Sequence, residues 1–489
     1  MSEKKFYVTT PIYYSNDIPH IGHAYTTLAA DVLSRWNKIK GKEVFFLTGT
    51  DEHGKKIQKV AEKNNKTPKE FVDELIPKFK KSWKDLNINF DRFIRTTDKD
   101  HEKIVQEIIK KIYDKGDIYL GKYSGYYCTD CEGYYTEKDL ENGCCPIHKL
   151  KIEKLQEECY FFKLSKYKKE LLKLYEKNPE FISPKYRRQE IINRVKEELN
   201  DLSVSRTTFD WGIKFPFDKK HISYVWLDAL FNYYSATREK GKEKFWPADI
   251  QLIGKEILWF HAVYWPAFLL SAELELPKKI FAHGWWTFNN EKISKSHGKV
   301  IHVDELVSIA GVDSARYFLF RATPFGQDGD FSKSALIQRH NDELANKFGN
   351  LISRTAGLIE KTSFEKCENK LLKKLNLKEI DKKMQDLEFD KALNLIFEFI
   401  DNCNEYVQNK KPWETKDKSI LYELADSIKA ISILLWPFIP ESCEKISKQF
   451  GFVVGKNSFE KIKIPLKISK IKKQEILFKR IECRENEQN

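Results

Sequence analysis

Apolar residues fall in short bursts through the first third of the chain and recur every three or four positions through the last third. That change of period predicts two kinds of architecture. Residues 5–10, around Phe6-Tyr7-Val8, read as a strand, and residues 11–19 as a turn-rich loop bounded by Pro11 and Pro19. Ile21, Tyr25, Leu28, Val32 and Trp36 then recur at helical spacing. After Gly41, residues 43–50 are β-branched and aromatic and read as a second strand. Strand, loop, helix, strand is a βαβ crossover. It predicts an α/β fold with a doubly wound parallel sheet, which takes its ligands at the carboxyl ends of the strands.

The pattern is interrupted from 119 to 220 by short aromatic strands, a Cys-rich loop and a basic helical stretch, which read as an insertion. Strands resume at 249–253 and 279–283, and residues 303–320 read as helical. Beyond about residue 332 no strand pattern survives. Leu344, Phe348, Leu351 and Ile352, and later Leu393, Ile396, Phe397 and Ile400, have the spacing of a helix bundle. A chain of 489 residues is too long for one core. The expected division is 1–118 (sheet, first half), 119–220 (insertion), 221–332 (sheet, second half) and 333–489 (helical domain with a basic tail). No internal repeat is evident.

The most apolar stretch, 257–272, contains His261 and Pro266 and falls short of the roughly 20 residues of a bilayer span, so no membrane partner is expected. The N-terminus passes from Lys4-Lys5 directly into a strand, which leaves no room for a targeting peptide. Four of nine cysteines (Cys128, Cys131, Cys144, Cys145) lie within 18 residues, a clustering that points to metal and to a cytoplasmic setting. The net charge of +13 favours a polyanionic partner, as does the tail 456–489, with ten basic and five acidic residues.

Two short strings carry the chemistry: His20-Ile21-Gly22-His23 after the first strand, and Lys292-Ile293-Ser294-Lys295-Ser296 after a later one. Imidazole donors at a helix N-terminus and mobile ammonium groups on a Ser-bearing loop suit the stabilisation of negative charge on phosphate groups. The pair resembles the HIGH and KMSKS signatures of class I aminoacyl-tRNA synthetases, whose catalytic domain is Rossmann-type. The resemblance spans nearly the whole chain and narrows to the methionyl-tRNA synthetases.

That resemblance implies His20, His23, Lys292 and Lys295 as catalytic residues, and Gly22, Gly254, Lys255, Glu256, Ser294 and Ser296 beside ATP and its Mg2+. It places L-methionine between Ile12 and Tyr14 on one wall, Trp226, Ala229, Leu230 and Tyr233 on another, and Ile257, His261 and Trp265 on the floor, with Asp51 on the substrate ammonium. A thioether favours such aromatic edges and apolar walls. The stretch between the two signatures is too short for the hydrolytic insertion of leucyl, isoleucyl and valyl relatives.

Cys128-x-x-Cys131 and Cys145-x-x-His148, 13 residues apart, have the spacing of a closed four-ligand zinc site, which is structural because it leaves no position open. Cys144 is an alternative to Cys145; the single-knuckle form of the family matches Cys145. By the same resemblance Asn350, Arg354 and Trp413 read the anticodon of tRNA(Met), since single-stranded bases stack on exposed aromatic rings. A monomer is expected. The competing readings are another class I synthetase, a catalytically idle tRNA-binding protein, and a small-molecule nucleotidyltransferase.

Overall fold

The structure is a computed structural model and describes residues 4–128, 133–135, 140–146, 149–288, 291–292, 300–467 and 471–482. Its centre is a sheet of six strands: β1 (Lys5–Tyr14), β2 (Glu43–Asp51), β3 (Arg92–Arg95), β4 (Ile182–Ser183), β5 (Ile250–Gly254) and β6 (Ile280–His283). They lie in the order β3-β2-β1-β5-β6-β4, every pairing parallel. The chain leaves β1 toward β2 on one side and later adds β5 on the other. The topological switch, and with it the ligand crevice, therefore lies between the carboxyl ends of β1 and β5. Helix α1 (Ile21–Ile39) begins there.

β1 extends four residues beyond the strand expected from the sequence. Its register with β2 shifts between Thr9 and Ile12, where Thr10 and Pro11 face the single Thr48, which is a bulge. Pro11 has no N–H to give the ladder and sits where the pairing is skipped. The Thr10 hydroxyl replaces that bond laterally, with its Oγ1 2.7 Å from the Pro11 carbonyl and 2.8 Å from Thr48 Oγ1. Ile12 and Tyr14 are thereby carried past the bulge to the crevice.

The insertion holds an antiparallel sheet in which Ile118–Cys128 pairs with Gly133–Tyr135 and with Glu153–Phe162, which in turn pairs with Leu202–Ser203. The interval 119–220 is not wholly outside the central sheet, however: the two-residue β4 returns to pair with Ile280 and Phe281. Residues 303–320 form two helices, Val303–Ala310 and Val312–Arg321, separated at Gly311, whose φ of +81° favours glycine.

After Gly329–Phe331 the described residues contain no further strand. Lys333–Arg339 runs through a π-wound stretch, His340–Gly349, into Asn350–Thr362, and Phe389–Lys410 packs against Leu377–Gln385 and Lys418–Leu435. One apolar core joins α1 to this bundle. Within it Arg316, fully buried, donates to Asp31 Oδ2 (2.6 Å) and to the carbonyls of Leu86 (2.9 Å), Pro437 (2.7 Å) and Phe438 (3.0 Å). Asp31 also accepts from Arg35 Nε at 2.8 Å. Burial alone would raise the Asp31 carboxyl, but the two guanidiniums hold it below its ordinary value. No helix among the described residues is long and apolar enough to cross a membrane.

Candidate active site

α1 is capped by its own signature. His20, in extended backbone, accepts the Gly22 N–H on Nδ1 at 3.1 Å, and His23 Nδ1 accepts the His20 N–H at 3.2 Å, a reciprocal capping box built from two imidazoles. An accepting Nδ1 leaves the ring proton on Nε2, so both rings are donors. Their centroids are 3.9 Å apart. The first turn carries no acidic residue, so the positive end of the helix dipole is not offset there and favours an anion. Gly22 fits between the rings and the helix for a simple reason: a Cβ on it would lie 3.0 Å from His20 Cε1 and 3.2 Å from His20 Nδ1.

His20, Gly22 and His23 line a cavity of about 360 Å³. Ile12, Tyr14, Asp51, Trp226, Ala229, Leu230, Tyr233, Ile257 and His261 line the same cavity, as do Gly254 and Glu256. All but two of the expected substrate residues described with their side chains therefore converge. Trp226 is stacked on Phe260 (centroids 3.9 Å apart, planes at 5°), which fixes one wall. His261 Nδ1 lies 3.0 Å from the Ile257 carbonyl, an acceptor only, so Nδ1 carries the proton and Nε2 accepts the Tyr233 hydroxyl at 2.7 Å. Burial pushes the His261 pKa down to about 4, and the ring is neutral at pH 7.

The two exceptions are Trp265 and Lys255. Trp265 is fully buried behind the cavity, edge-on to Phe231 (5.1 Å) and donating to Gln251 Oε1 at 3.1 Å. Between His261 and Trp265 the chain is π-wound (Phe260–Tyr264), which alters the phase by which i, i+4 residues share a face. Lys255 points away to the Asp328 carboxylate (2.6 Å) and lies over the Trp285 ring at 4.0 Å. Glu256 remains at the cavity, held by Trp285 Nε1 at 2.6 Å. Gly254 leaves the space for it, since a Cβ there would fall 2.4 Å from the Glu256 carboxylate.

Tyr25, Thr26, His283, Gly284, Trp285 and Trp286 also line the cavity and were not singled out by the sequence reading. His283 bridges β6 to α1. Its Nδ1 lies 2.7 Å from the Gly284 carbonyl and its Nε2 2.6 Å from Thr26 Oγ1, and burial holds its pKa below the ordinary value. Its place at the carboxyl end of an expected strand was the available signal. Glu52, beside Asp51, is structural. Fully buried, it takes Arg95 in a bidentate pair (2.7 and 2.8 Å) and the hydroxyls of Thr50 and Thr97.

The second signature is approached from both sides. Trp286–Phe288 begins at the cavity, and its Thr287 pairs with Lys292 of Glu291–Lys292. Where the described chain resumes, Ile301 accepts the Ile21 N–H at 2.9 Å and His302 bridges to His20. Residues 293–299, with Ser294, Lys295 and Ser296, lie outside the described residues, as do Cys131 and His148 of the metal motif. Of that motif, Cys128 and Cys145 are buried in one small cluster with Ile152, and Cys144 is half-buried at a turn with Glu141.

At the far end of the helical domain the Arg354 guanidinium lies over the Trp413 ring at 4.4 Å and donates to Gln408 Oε1 at 3.1 Å. Trp413 is 38% exposed, and Asn350 is exposed one turn before Arg354.

The family model "tRNA synthetases class I (M)" matches residues 6–154 and 135–356, and "Anticodon-binding domain of tRNA ligase" matches residues 368–485. The methionine-tRNA ligase of Caldanaerobacter subterraneus is 47% identical, covering 98% of this chain and 79% of that one. That of Bacillus subtilis is 41% identical, over 98% of this chain and 78% of the other. Among solved structures, Mycobacterium tuberculosis methionyl-tRNA synthetase in complex with methionyl-adenylate superposes with a TM-score of 0.92 at 36% identity, over 97% of this chain and 99% of that one. A relationship of this depth over nearly the full length shows the family: the chain belongs to the methionine-tRNA ligase family of class I tRNA synthetases.

Proposed function

We propose that this protein activates L-methionine with ATP, releasing pyrophosphate, and transfers the methionyl group from the adenylate to the 3'-terminal adenosine of tRNA(Met). The observation that carries the reading is the hydrogen bond from Ile21 N to Ile301 O (2.9 Å), which draws the chain after the lysine loop onto the His20–His23 turn at the mouth of the cavity. Phosphate recognition and an apolar side-chain pocket then share one space.

The methionine carboxylate attacks the α-phosphorus, and negative charge builds on the phosphate oxygens. His20 and His23 donate to them from Nε2 while the α1 dipole adds to the field. Lys292 and Lys295, with Ser294 and Ser296, neutralise the departing pyrophosphate, and Mg2+ accompanies the nucleotide. Gly22, Gly254 and Glu256 border the nucleotide, and Lys255 stands at its rim through Trp285. Asp51 takes the substrate ammonium by a charge-assisted bond. The thioether lies against Ile12, Tyr14, Trp226, Ala229, Leu230, Tyr233, Ile257 and His261. A charged side chain there would be desolvated without a partner, because Tyr233 and His261 are committed to each other as a neutral pair. Trp265 backs Tyr233, and Asn350, Arg354 and Trp413 take the anticodon.

Cys128, Cys131, Cys145 and His148 would hold a structural zinc, which ties the insertion together. Supporting this, two of the thiols fall in one buried cluster, which among the described residues holds Cys128, Cys145 and Ile152 with Tyr126 and Leu140 packed against it, a small core for that segment. The protein works as a cytoplasmic monomer with its catalytic part in two segments, 1–118 and 221–332, divided by the insertion 119–220 and followed by the helical domain 333–489. ATP-pyrophosphate exchange with each of the twenty amino acids tests the reading. Methionine alone should drive exchange; exchange driven best by any other amino acid overturns it.

A further inference from the structure

The side-chain pocket has two walls that are remote in sequence. The ends of β1 and β2 bring Ile12, Tyr14 and Asp51; residues 226–233 bring Trp226, Ala229, Leu230 and Tyr233. A buried polar chain, none of whose charged members lines the cavity, fastens one wall to the other. Asp228, 1% exposed, sits on the short helix Val225–Ala229 between Trp226 and Ala229. Its Oδ2 is 2.6 Å from His53 Nδ1 and its Oδ1 is 2.8 Å from His101 Nε2. His53 follows Asp51 by two residues, and its carbonyl accepts the Tyr14 hydroxyl at 3.2 Å. His101 enters from Lys99–Asp114 and places Nδ1 2.8 Å from Ser235 Oγ, two residues beyond Tyr233. The chain thus runs Tyr14, His53, Asp228, His101, Ser235, from a residue of one pocket wall to the segment just beyond Tyr233 of the other.

We propose that Asp228, His53 and His101 are positioning residues that set the separation of the two walls and thereby the length of side chain the pocket accepts. The inference rests on the methionine reading of the cavity. Burial works against charge on His53, yet the adjacent Asp228 carboxylate, with smaller help from Glu102 and Glu52, holds its pKa above the ordinary value, and Asp228 is held below its own. A buried carboxylate with an imidazole on each oxygen is costly to desolvate. A pair of apolar residues would hold the fold at least as well. What the clamp adds is a fixed distance: both carboxylate oxygens are taken by rings from different elements, so the helix bearing Trp226 and Ala229 can neither recede nor rotate without breaking a charge-assisted bond.

The test is Asp228→Asn, which keeps the shape and removes the charge, in methionine-dependent pyrophosphate exchange. KM for methionine should rise about tenfold or more while KM for ATP stays within about twofold, and kcat/KM for ethionine, one methylene longer, should rise relative to methionine. His101→Phe, which keeps a ring but breaks both bonds, should shift the same quantities and serves if the first variant does not fold. His101→Gln, which can donate to Asp228 and accept from Ser235, should restore most of the loss. Folded variants with unchanged KM for methionine, or with KM for methionine and ATP rising together, overturn the clamp. A wild-type protein that exchanges with a different amino acid instead overturns the methionine reading on which it stands.

Discussion

Gly22→Ala separates folding from chemistry at one atom. The added Cβ would meet the His20 ring at 3.0 Å and 3.2 Å, and the ring must yield by a few tenths of an ångström. It cannot yield freely, because the His23 ring lies beside it, centroids 3.9 Å apart and planes tilted at 33°, and His20 is also the α1 cap. Two stability terms oppose each other. Loss of the Gly22 N–H bond to His20 Nδ1 costs about 1 kcal/mol, and alanine inside the helix returns about 1 kcal/mol. The net change should be under about 1 kcal/mol, or less than about 3 °C in melting temperature. Catalysis has no such offset. Removing a donor from a developing oxyanion typically costs 10²–10³-fold, and displacing one by a fraction of an ångström should cost about 10–100-fold in kcat, with KM for methionine little changed. Pyrophosphate exchange read beside a thermal melt measures both. Wild-type kcat in a folded Gly22→Ala protein would refute the role given to His20; a large loss of stability would refute the packing argument.

Three further outcomes follow from the geometry. His261 has a folded pKa near 4, below the unfolded value of about 6.5, so unfolded chain takes up its proton first and stability drains as pH falls from about 6.5 toward 4, by roughly 3 kcal/mol in all. Melts from pH 7.5 to 4.5 should show wild type losing more than His261→Gln, and parallel curves would contradict the buried neutral ring. Trp413→Ala should raise KM for tRNA about 5–100-fold, the worth of one stacked base, while exchange stays within about twofold; equal loss of both activities would remove the anticodon assignment. Arg316→Met takes the donors from the Leu86, Pro437 and Phe438 carbonyls and leaves Asp31 with Arg35 as its guanidinium partner, and should cost about 3–5 kcal/mol in urea titration, whereas a cost below about 1 kcal/mol would show the hub to be incidental.

What could be read from the residues in order was whatever a local period or a short motif encodes. The β1-α1-β2 opening, the helical last third and the turn carrying His20 and His23 are all of that kind, because strand alternation, helical recurrence and a capping sequence each act over fewer than ten residues. The misplacements share the opposite cause. Pro11 looked like the end of a strand because only the partner strand reveals a bulge. Lys255 was assigned to ATP although its charge is taken by Asp328, 73 residues on. Trp265 fell off the pocket because five residues before it wind as a π-helix, a choice no side-chain period announces. The two-residue β4 is too short to leave any pattern, and it exists only because β6 offers an edge. Asp228 shows the consequence most plainly. It lies between Trp226 and Ala229, which line the cavity, yet it is the one charged side chain of that short helix and is buried, and its partners are His53 and His101. A buried carboxylate has to be paid for by neighbours that sequence order does not bring near it. Such a residue, once seen in three dimensions, is therefore the place to look for what holds a specificity pocket at its size.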